Sequence, residues 1–336
     1  MSTQETNLKA IADAIRAKTG LTGTIKASEF ASKIAAIQTG GIAKAGWVQT
    51  TLPASAYWRY VCYGDGKFVV FPDGRSTTVY SADGINWEQT ALPVTDVTWR
   101  AACYGAGKFV VMALDRDFAV YSTDGINWTQ TTLPETRSWS SVCYGNGRFV
   151  AVAQNSIVGA YSTDGIAWAS MRLPVSAVWM SVCYGNGRFV AVAQNSNVAA
   201  YSTDGVNWVQ TNEMTKYGSW SSICYGNGKF VTVCDSNDTT TNISVDGVNW
   251  TAGNLPERSH DSWSKLCYGN GKFVALSITD QSKPIAYSVD GVTWLQSTLP
   301  TAQYWGAIGY GDGKFVAMPN EGTIAAYVKD FFDEWA

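Results

Sequence analysis

The sequence has little charge and almost no histidine. Of its 336 residues only 15% are Asp, Glu, Lys or Arg, the net charge is −3, and the single histidine is His260. A chain this close to neutral does not fit a nucleic-acid-binding protein, which needs a basic face. One histidine also excludes most catalytic triads and any metal site built from several histidines.

Long hydrophobic runs are also missing. No apolar stretch approaches the roughly 20 residues that a membrane-spanning helix needs, and residues 1–20 are polar and mixed in charge. The sequence therefore predicts neither membrane insertion nor a signal peptide. Aromatic residues are abundant instead, with 15 Trp and 17 Tyr, and 46% of the chain is hydrophobic. This composition is typical of a protein with a large core.

Two phrases alternate along most of the chain. YSTDGINW (121–128) and its variants occur six times, and CYGNGRFV (143–150) and its variants occur seven times. A tryptophan begins each unit, at intervals of 40 to 43 residues. That period is typical of a four-stranded propeller blade. The unit tryptophans are Trp58, Trp99, Trp139, Trp179, Trp220, Trp263 and Trp305.

The fourth unit illustrates the strands that the pattern predicts. Trp179–Tyr184 is strand one, and Gly185–Gly187 makes a tight hairpin into strand two, Arg188–Ala193. Strand two is apolar on both faces, as expected where neighbouring sheets cover both sides. Val198–Ser202 is strand three, and the polar segment Trp208–Thr211 is strand four, at the outer edge.

The unequal counts of the two phrases predict how the ring closes. The last unit lacks an SxDGxxW segment, whereas GWVQTTLP (46–53) near the N-terminus closely copies NWTQTTLP (127–134). Pairing Trp47–Thr50 into the last unit would remove an open sheet edge. The predicted fold is all-β: a seven-bladed propeller of four-stranded blades, over residues 44–329. A small helical segment over residues 1–41 precedes it, and a tail over residues 330–336 follows.

Six of the seven cysteines occupy the same place in successive units, and Gly309 holds that place in the last unit. Equivalent sites in separate units are not expected within disulfide distance, and dispersed thiols cannot converge on a metal. We interpret them as small buried side chains, in keeping with a reducing cytosol. The six are Cys62, Cys103, Cys143, Cys183, Cys224 and Cys267.

Two resemblances add expectations about architecture and location. The SxDGxxW phrase resembles a shortened form of the Asp-box repeat of sialidase-type propellers, which implies a propeller but not one function. IADAIRAKTG (11–20) and TIKASEFASKIAAI (24–37) resemble a helical segment at the start of bacteriophage and prophage tail proteins. That resemblance implies that residues 1–41 attach to phage tail or baseplate proteins. It places the protein on a virion or tail-like particle made in the bacterial cytoplasm, with the oligomeric state left open.

The loops between strands two and three differ from unit to unit, whereas the hairpins at the other end hardly vary. A varied polar end is typical of a binding site and an invariant end of a scaffold. Arginines there could hold a carboxylate, and tryptophans could stack on sugars, although packing between blades is the favoured interpretation for them. The candidate ligand-binding residues are Trp58, Arg59, Arg75, Trp99, Arg100, Asp115, Arg116, Asn155, Asn195, Asp235, Asn237 and Asp280.

Catalysis is difficult to assemble from these residues, because no Glu is an obvious partner for the arginines of a sialidase-like site. Asp235, Asn237 and Asp238 offer oxygen ligands for Ca²⁺, but a polar turn explains them more simply, and we predict no metal or cofactor. The predicted function is a non-enzymatic tail-fibre protein that binds a host-surface glycan or protein receptor. Two alternatives stay open: a glycoside hydrolase or lyase acting on acidic surface polysaccharide, and a structural particle component.

Overall fold

Strands and turns account for all of the chain that the structure describes. The structure is a computed structural model, and it describes residues 46–235, 239–256, 262–279 and 285–329. No helix lies within these ranges, and accordingly none that could span a membrane. The all-β prediction is confirmed for this part. The predicted helices of residues 1–41 and the tail 330–336 lie outside the described residues.

The described ranges contain 25 strands. In chain order they are β1 (Val48–Ala56), β2 (Trp58–Gly64), β3 (Lys67–Pro72), β4 (Thr77–Ser81), β5 (Glu88–Ala91), β6 (Trp99–Gly105), β7 (Lys108–Ser122), β8 (Thr129–Gly145), β9 (Arg148–Ala153), β10 (Ser156–Ser162), β11 (Ala169–Gly185), β12 (Arg188–Gln194), β13 (Ala199–Ser202), β14 (Val209–Gln210), β15 (Trp220–Gly226), β16 (Lys229–Cys234), β17 (Thr240–Ser244), β18 (Thr251–Asn254), β19 (Trp263–Gly269), β20 (Lys272–Ser277), β21 (Ile285–Ser288), β22 (Leu295–Ser297), β23 (Trp305–Gly311), β24 (Lys314–Pro319) and β25 (Gly322–Lys329).

Four sheets have four strands each: β2 to β5, β15 to β18, β19 to β22, and β23 to β25 together with β1. Strands β6 to β14 form one nine-stranded sheet, because β7, β8 and β11 are long enough to serve in two positions each. The predicted loop at Leu114–Asp117 is therefore part of β7. Two register shifts there, on either side of Arg116, let the long strand bend.

The four predicted strands of the fourth unit are present with shifted ends. The predicted strand one is the second half of β11, strand two is β12, and strands three and four are the shorter β13 and β14. Asn186 and Gly187 form the hairpin loop, with φ of 45° and 75°. Both values lie in the left-handed region that a two-residue hairpin requires, which is why asparagine, aspartate and glycine recur in this turn.

The N-terminal strand completes the sheet of the last unit. β1 pairs antiparallel with β25, placing Val48 opposite Tyr327 and Thr51 opposite Ile324. The predicted pairing is thus confirmed, although the strand begins at Val48 and runs to Ala56 rather than covering Trp47–Thr50. β1 covers an edge of β25 that would otherwise carry unpaired backbone groups.

The first strand of each unit is called its inner strand here, and these strands are β2, β6, the second half of β8, the second half of β11, β15, β19 and β23. Each inner strand contacts the next through a tyrosine ring that packs on a glycine. A β-carbon added to Gly64 would collide with the ring of Tyr104, and one added to Gly269 would collide with the ring of Tyr310. A β-carbon on Gly311 would collide in the same way with Tyr63 of the first unit. β2 accordingly contacts both β6 and β23. The recurring Tyr-Gly pair is thus a packing requirement, and the same contact closes the ring between the last unit and the first.

The core lies between consecutive sheets. One cluster combines Trp58 and Phe68 of the first unit with Val316 and Met318 of the last, and all four are fully buried. β3 and its equivalents present apolar residues to both neighbours, as the unbroken apolar pattern predicts. All seven cysteines are free thiols, and burial raises the pKa of Cys62 to about 12, in keeping with a packing role.

The SxDG turns are held by their own side chains. Asp124 Oδ1 accepts hydrogen bonds from the backbone N–H of Ile126 at 2.9 Å and of Asn127 at 2.8 Å. Asp124 Oδ2 accepts one from Asn127 Nδ2 at 2.8 Å. Burial acts to raise the pKa of Asp124, but these donors and Ser122 outweigh it and lower the pKa well below its ordinary range.

The turns also bind the preceding unit. Asn186 Nδ2 donates to the carbonyl of Val245 at 3.1 Å, and Lys229 Nζ donates to the carbonyl of Asp290 at 2.9 Å. Each of these contacts runs from a Gly-x-Gly hairpin to the SxDG turn of the following unit. This end of the molecule is therefore a scaffold, which explains why its sequence hardly varies.

Replacing Gly311 with alanine should weaken ring closure, because the new methyl group overlaps the Tyr63 ring. We expect the free energy of unfolding to fall by about 1–3 kcal/mol, measured by urea denaturation. In a Tyr63→Ala background the same glycine change should cost much less. An equal cost in both backgrounds would show that the glycine is needed for another reason.

The SxDG turn of the third unit has Ala167 at the position where four other SxDG turns have asparagine. This difference allows the contribution of the asparagine to be tested. Ala167→Asn should add a donor to Asp164, whose pKa is already lowered by the N–H groups of Ile166 and Ala167. We expect the free energy of unfolding to rise by about 0.5 kcal/mol at pH 7. The unfolded pKa is the same in both proteins, so this gain should be fully present above about pH 4 and be lost only as the pH falls through the lowered folded pKa of Asp164. Asn127→Ala should lose a similar amount in urea denaturation at pH 7, and an unchanged stability of Ala167→Asn at that pH would contradict the assignment.

Candidate functional site

A β-bulge follows the tryptophan in every inner strand. In the first unit Trp58 pairs with Pro72 and Tyr60 with Phe71, so that Arg59 has no partner in the ladder. A bulge bends the strand and re-aims the side chain of the extra residue. The bulge residues are Arg59, Arg100, Ser140, Met180, Ser221, Ser264 and Gly306.

A central cavity of about 460 Å³ opens among these bulges. Residues from all seven inner strands line it, together with Asp235 and Ile278, which follow the second strands of two units. Three cations, Arg59, Arg100 and Lys265, and one carboxylate, Asp235, belong to its wall. The cavity therefore carries net positive charge within a chain whose net charge is −3.

The two arginines differ in how they are held. Arg59 Nη1 donates to Asn320 Oδ1 at 2.6 Å, and Arg59 Nε lies 3.7 Å from Asp73 Oδ2. Arg100 is partly buried and makes no hydrogen bond or ion pair with any described residue. Arg59 is thus fixed by the protein, whereas the donors of Arg100 are available to a ligand.

Serines of the cavity wall join neighbouring inner strands. Ser140 Oγ donates to the carbonyl of Trp179 at 2.6 Å, whereas Ser141 Oγ accepts from the N–H of Val182 at 3.1 Å. The N–H of Ile223 donates in the same way to Ser181 Oγ, at 3.2 Å. These hydroxyl groups link neighbouring inner strands that do not pair with each other through their backbones, so their first role is structural.

The other side of the cavity holds the carboxylate. Ser264 Oγ donates to Asp235 Oδ1 at 2.9 Å. Lys265 extends instead to the first unit, where its Nζ lies 4.5 Å from the centroid of the Tyr60 ring. A cation over an aromatic face is attracted to it, and this contact holds the lysine across the small residues Gly306 and Ala307 of the intervening strand.

Three residues of the predicted ligand-binding set line the same cavity: Arg59, Arg100 and Asp235. Trp58 and Trp99 are 0% exposed, so the hypothesis that they stack on sugars is corrected. They are packing residues between units, and Trp58 Nε1 donates to the carbonyl of Gly322 at 3.1 Å.

The other described residues of the predicted set do not line the cavity. Arg75 is exposed in the turn between β3 and β4, and Asp115 and Arg116 are exposed in the irregular middle of β7. Arg116 Nη1 donates to the carbonyl of Asp115 at 3.0 Å. Asn155 and Asn195 border a separate pocket of about 320 Å³ at the rim. Asn237 and Asp280 lie outside the described residues.

Lys265 and Ser264 were not predicted. Aligning the inner strands would have singled out Lys265, because the other units have Tyr, Ala or Ser in its place. Of the three residues in the Ca²⁺ hypothesis, Asp235 alone belongs to the described residues. Within the described ranges no cluster of three or more His, Cys, Asp and Glu side chains is arranged to hold a metal ion.

Comparison with known proteins identifies the fold. No protein-family model and no curated protein sequence matches the chain. Among solved structures, virginiamycin B lyase from Staphylococcus aureus aligns with a TM-score of 0.74 at 12% identity, over 84% of this chain and 98% of that one. The Cps50 (Swd1) β-propeller domain of Myceliophteria thermophila aligns at 0.63 and 8%, over 83% and 99%. The described chain has a β-propeller fold.

A further similar structure is YCF48 bound to D1 peptide, with a TM-score of 0.66 at 16% identity, over 84% of this chain and 95% of that one. The fold neighbours are thus an antibiotic lyase, YCF48 and a Swd1 domain. They contradict the predicted tail-fibre receptor-binding function, which is therefore wrong. The absence of a matching family model also leaves the Asp-box and phage-tail resemblances without support.

The difference between the two arginines gives a testable contrast. Arg59→Gln should lower the free energy of unfolding by about 1 kcal/mol, because it removes a charged donor from Asn320 and Asp73. Arg100→Gln should change it by less than about 0.5 kcal/mol. Urea denaturation of both variants measures the contrast, and a larger cost for Arg100→Gln would show that Arg100 is held by the protein after all.

Proposed function

We propose that this protein binds a small anionic ligand in the central cavity of its propeller. The observation that carries the proposal is Arg100, a partly buried residue that lines the cavity and makes no hydrogen bond or ion pair with the described residues. A buried cation is costly unless it is paired, and a guanidinium is well matched to a carboxylate or phosphate.

The setting of Arg100 supports the same function. Arg59 lies on the adjacent inner strand, oriented by Asn320, and adds positive charge without competing for the donors of Arg100. A volume of about 460 Å³ falls in the range of roughly 300–1,000 Å³ that is usual for small-molecule sites. The serine hydroxyls of the wall, already engaged between strands, make a polar and rigid surface around the charge.

We also propose that the repeat units are seven blades. In this interpretation the nine-stranded sheet is three blades joined through β8 and β11, and β7 supplies two strands of a single blade. The SxDG turns are then shortened Asp-box turns. The recurring Tyr-Gly contact, including the one between Gly311 and Tyr63, supports this number.

Lyase activity is the second candidate, because a lyase is among the structures that share this fold. A histidine-to-alanine variant of that lyase, determined with quinupristin, is described as catalytically inactive. The only histidine of this chain, His260, lies outside the described residues. Binding is the function that the described cavity favours. Conversion of quinupristin, followed by mass spectrometry, would favour the lyase instead.

Calorimetric titration with succinate and with inorganic phosphate tests the binding function. We expect at least one of these anions to bind, and Arg100→Gln to weaken that binding by roughly tenfold or more, since a charge-assisted bond contributes about 1.5–3 kcal/mol. Arg75→Gln is the matched control, because Arg75 is exposed outside the cavity, and it should bind normally. Failure of both anions to bind, or equal binding by Arg100→Gln, would refute the proposal.

A further inference from the structure

The cavity contains a negative group as well as the arginines. Ser264 donates to Asp235 Oδ1, but Asp235 Oδ2 has no hydrogen-bond partner among the described residues. Asp235 is partly buried where β16 ends. It therefore offers an oriented carboxylate oxygen to a donor inside the cavity, just as Arg100 offers oriented donors.

The two groups lie on different sides of the ring. The inner strands follow each other in the order β2, β6, β8, β11, β15, β19 and β23, and β23 contacts β2. Arg100 belongs to β6, and Asp235 is tied to β19 through Ser264. Three inner strands separate β6 from β19 in one direction and two in the other, so the ring order places the positive and negative groups across the cavity.

No cation of the protein neutralises Asp235 in the described ranges. Lys265 is next to Ser264 in the chain, but its ammonium lies over the Tyr60 ring and makes no ion pair with Asp235. The equivalent residue Asn320 is used to hold Arg59, whereas the neighbour of Asp235 is a serine. A serine hydroxyl fixes the carboxylate in place but leaves its charge intact.

On the side formed by β8, β11 and β15, the wall between Arg100 and Asp235 is uncharged. It is built from serines, Met180 and branched residues such as Val142 and Ile223. Such a wall suits the uncharged middle of a ligand and leaves recognition to the two ends. It also lowers the local polarity compared with water, which strengthens charge pairing at each end.

We propose, on the basis of the anion-binding function above, that the ligand is zwitterionic. Its anionic end pairs with Arg100, and its ammonium end donates to Asp235 across the cavity. A short peptide with both termini free has this arrangement of charges, an extended polar backbone between them, and a size that a cavity of about 460 Å³ accepts.

Three forms of one peptide test the proposal by calorimetry. Trialanine has both terminal charges, N-acetyl-trialanine lacks the ammonium, and trialanine amide lacks the carboxylate. We expect trialanine to bind at least tenfold more tightly than either blocked form, and dialanine and tetraalanine to show which length spans the cavity best.

Two variants test which residue binds each end of the peptide. Asp235→Asn keeps an acceptor for Ser264 and should reduce the affinity for trialanine to that for the acetylated form, which should itself bind unchanged. Arg100→Gln should reduce the affinity for trialanine to that for the amide, and it should weaken N-acetyl-trialanine further, because that form then has neither charge pair. Asp115→Asn, in the exposed middle of β7 outside the cavity, is the control and should bind like the wild type. Unchanged thermal midpoints should verify that all variants are folded.

Equal affinity for trialanine and its acetylated form would overturn the zwitterion proposal, and so would an Asp235→Asn variant that keeps the full preference. The anion-binding function survives either result if succinate or phosphate binding still depends on Arg100. Absence of all peptide binding likewise overturns the zwitterion proposal and leaves the simple anions to decide the other.

Discussion

The contact between a tyrosine ring and the α-carbon of a glycine in the preceding unit fixes how closely the inner strands approach. Any side chain on Gly64 or its equivalents would push the units apart. Gly311 and Tyr63 make the same contact between the last unit and the first. The interface that closes the ring therefore has the same spacing as the other interfaces. The buried tryptophans and the serine bridges between strands fill the space that this spacing leaves. Cavity size is therefore a consequence of a contact made at the other end of the inner strands.

The bulges divide each inner strand into two parts with different tasks. Beyond the bulge, regular pairing buries apolar residues between sheets, and nearly the same residues recur in every unit. At the bulge itself the side chain leaves the ladder, so arginine, serine, methionine and glycine are all accommodated. The bulge position thereby carries different side chains in different units, except that a β-carbon at Gly306 would collide with the carbonyl of Trp58. The charges of Arg59 and Arg100 occupy two of the bulge positions.

Much of the fold could be predicted because its determinants are local. The period, the hairpin residues and the missing last SxDGxxW segment were sufficient to predict β-strands, the hairpins and the closure by β1. The bulges could not be predicted, because a register shift depends on the partner strand rather than on the sequence that carries it. For this reason the arginines and Asp235 were named from the sequence without the prediction that they line the same cavity, and Lys265 was missed. The stacking hypothesis for Trp58 failed because a packing residue and a binding residue look alike when every unit repeats them.

The predicted function was wrong for a different reason. It rested on a resemblance in residues 1–41, which lie outside the described part, and on variation in loops that mostly lie away from the cavity. Charge at the inner strands was the better guide, since a partly buried guanidinium without a partner has a clear physical cost. The fold alone, shared with an antibiotic lyase and with YCF48, does not choose between binding and catalysis.

The pairing of β1 with β25 also has a consequence for how the chain folds. Val48 and Tyr327 lie near opposite ends of the described chain, so this pairing has a very large sequence separation. Bringing such distant segments together costs loop-closure entropy before any contact compensates for it. During synthesis the earliest strand must wait for the last one before its sheet can form. Ring closure is therefore expected to be a late event, and the interval before it is when the exposed strand edges are open to aggregation.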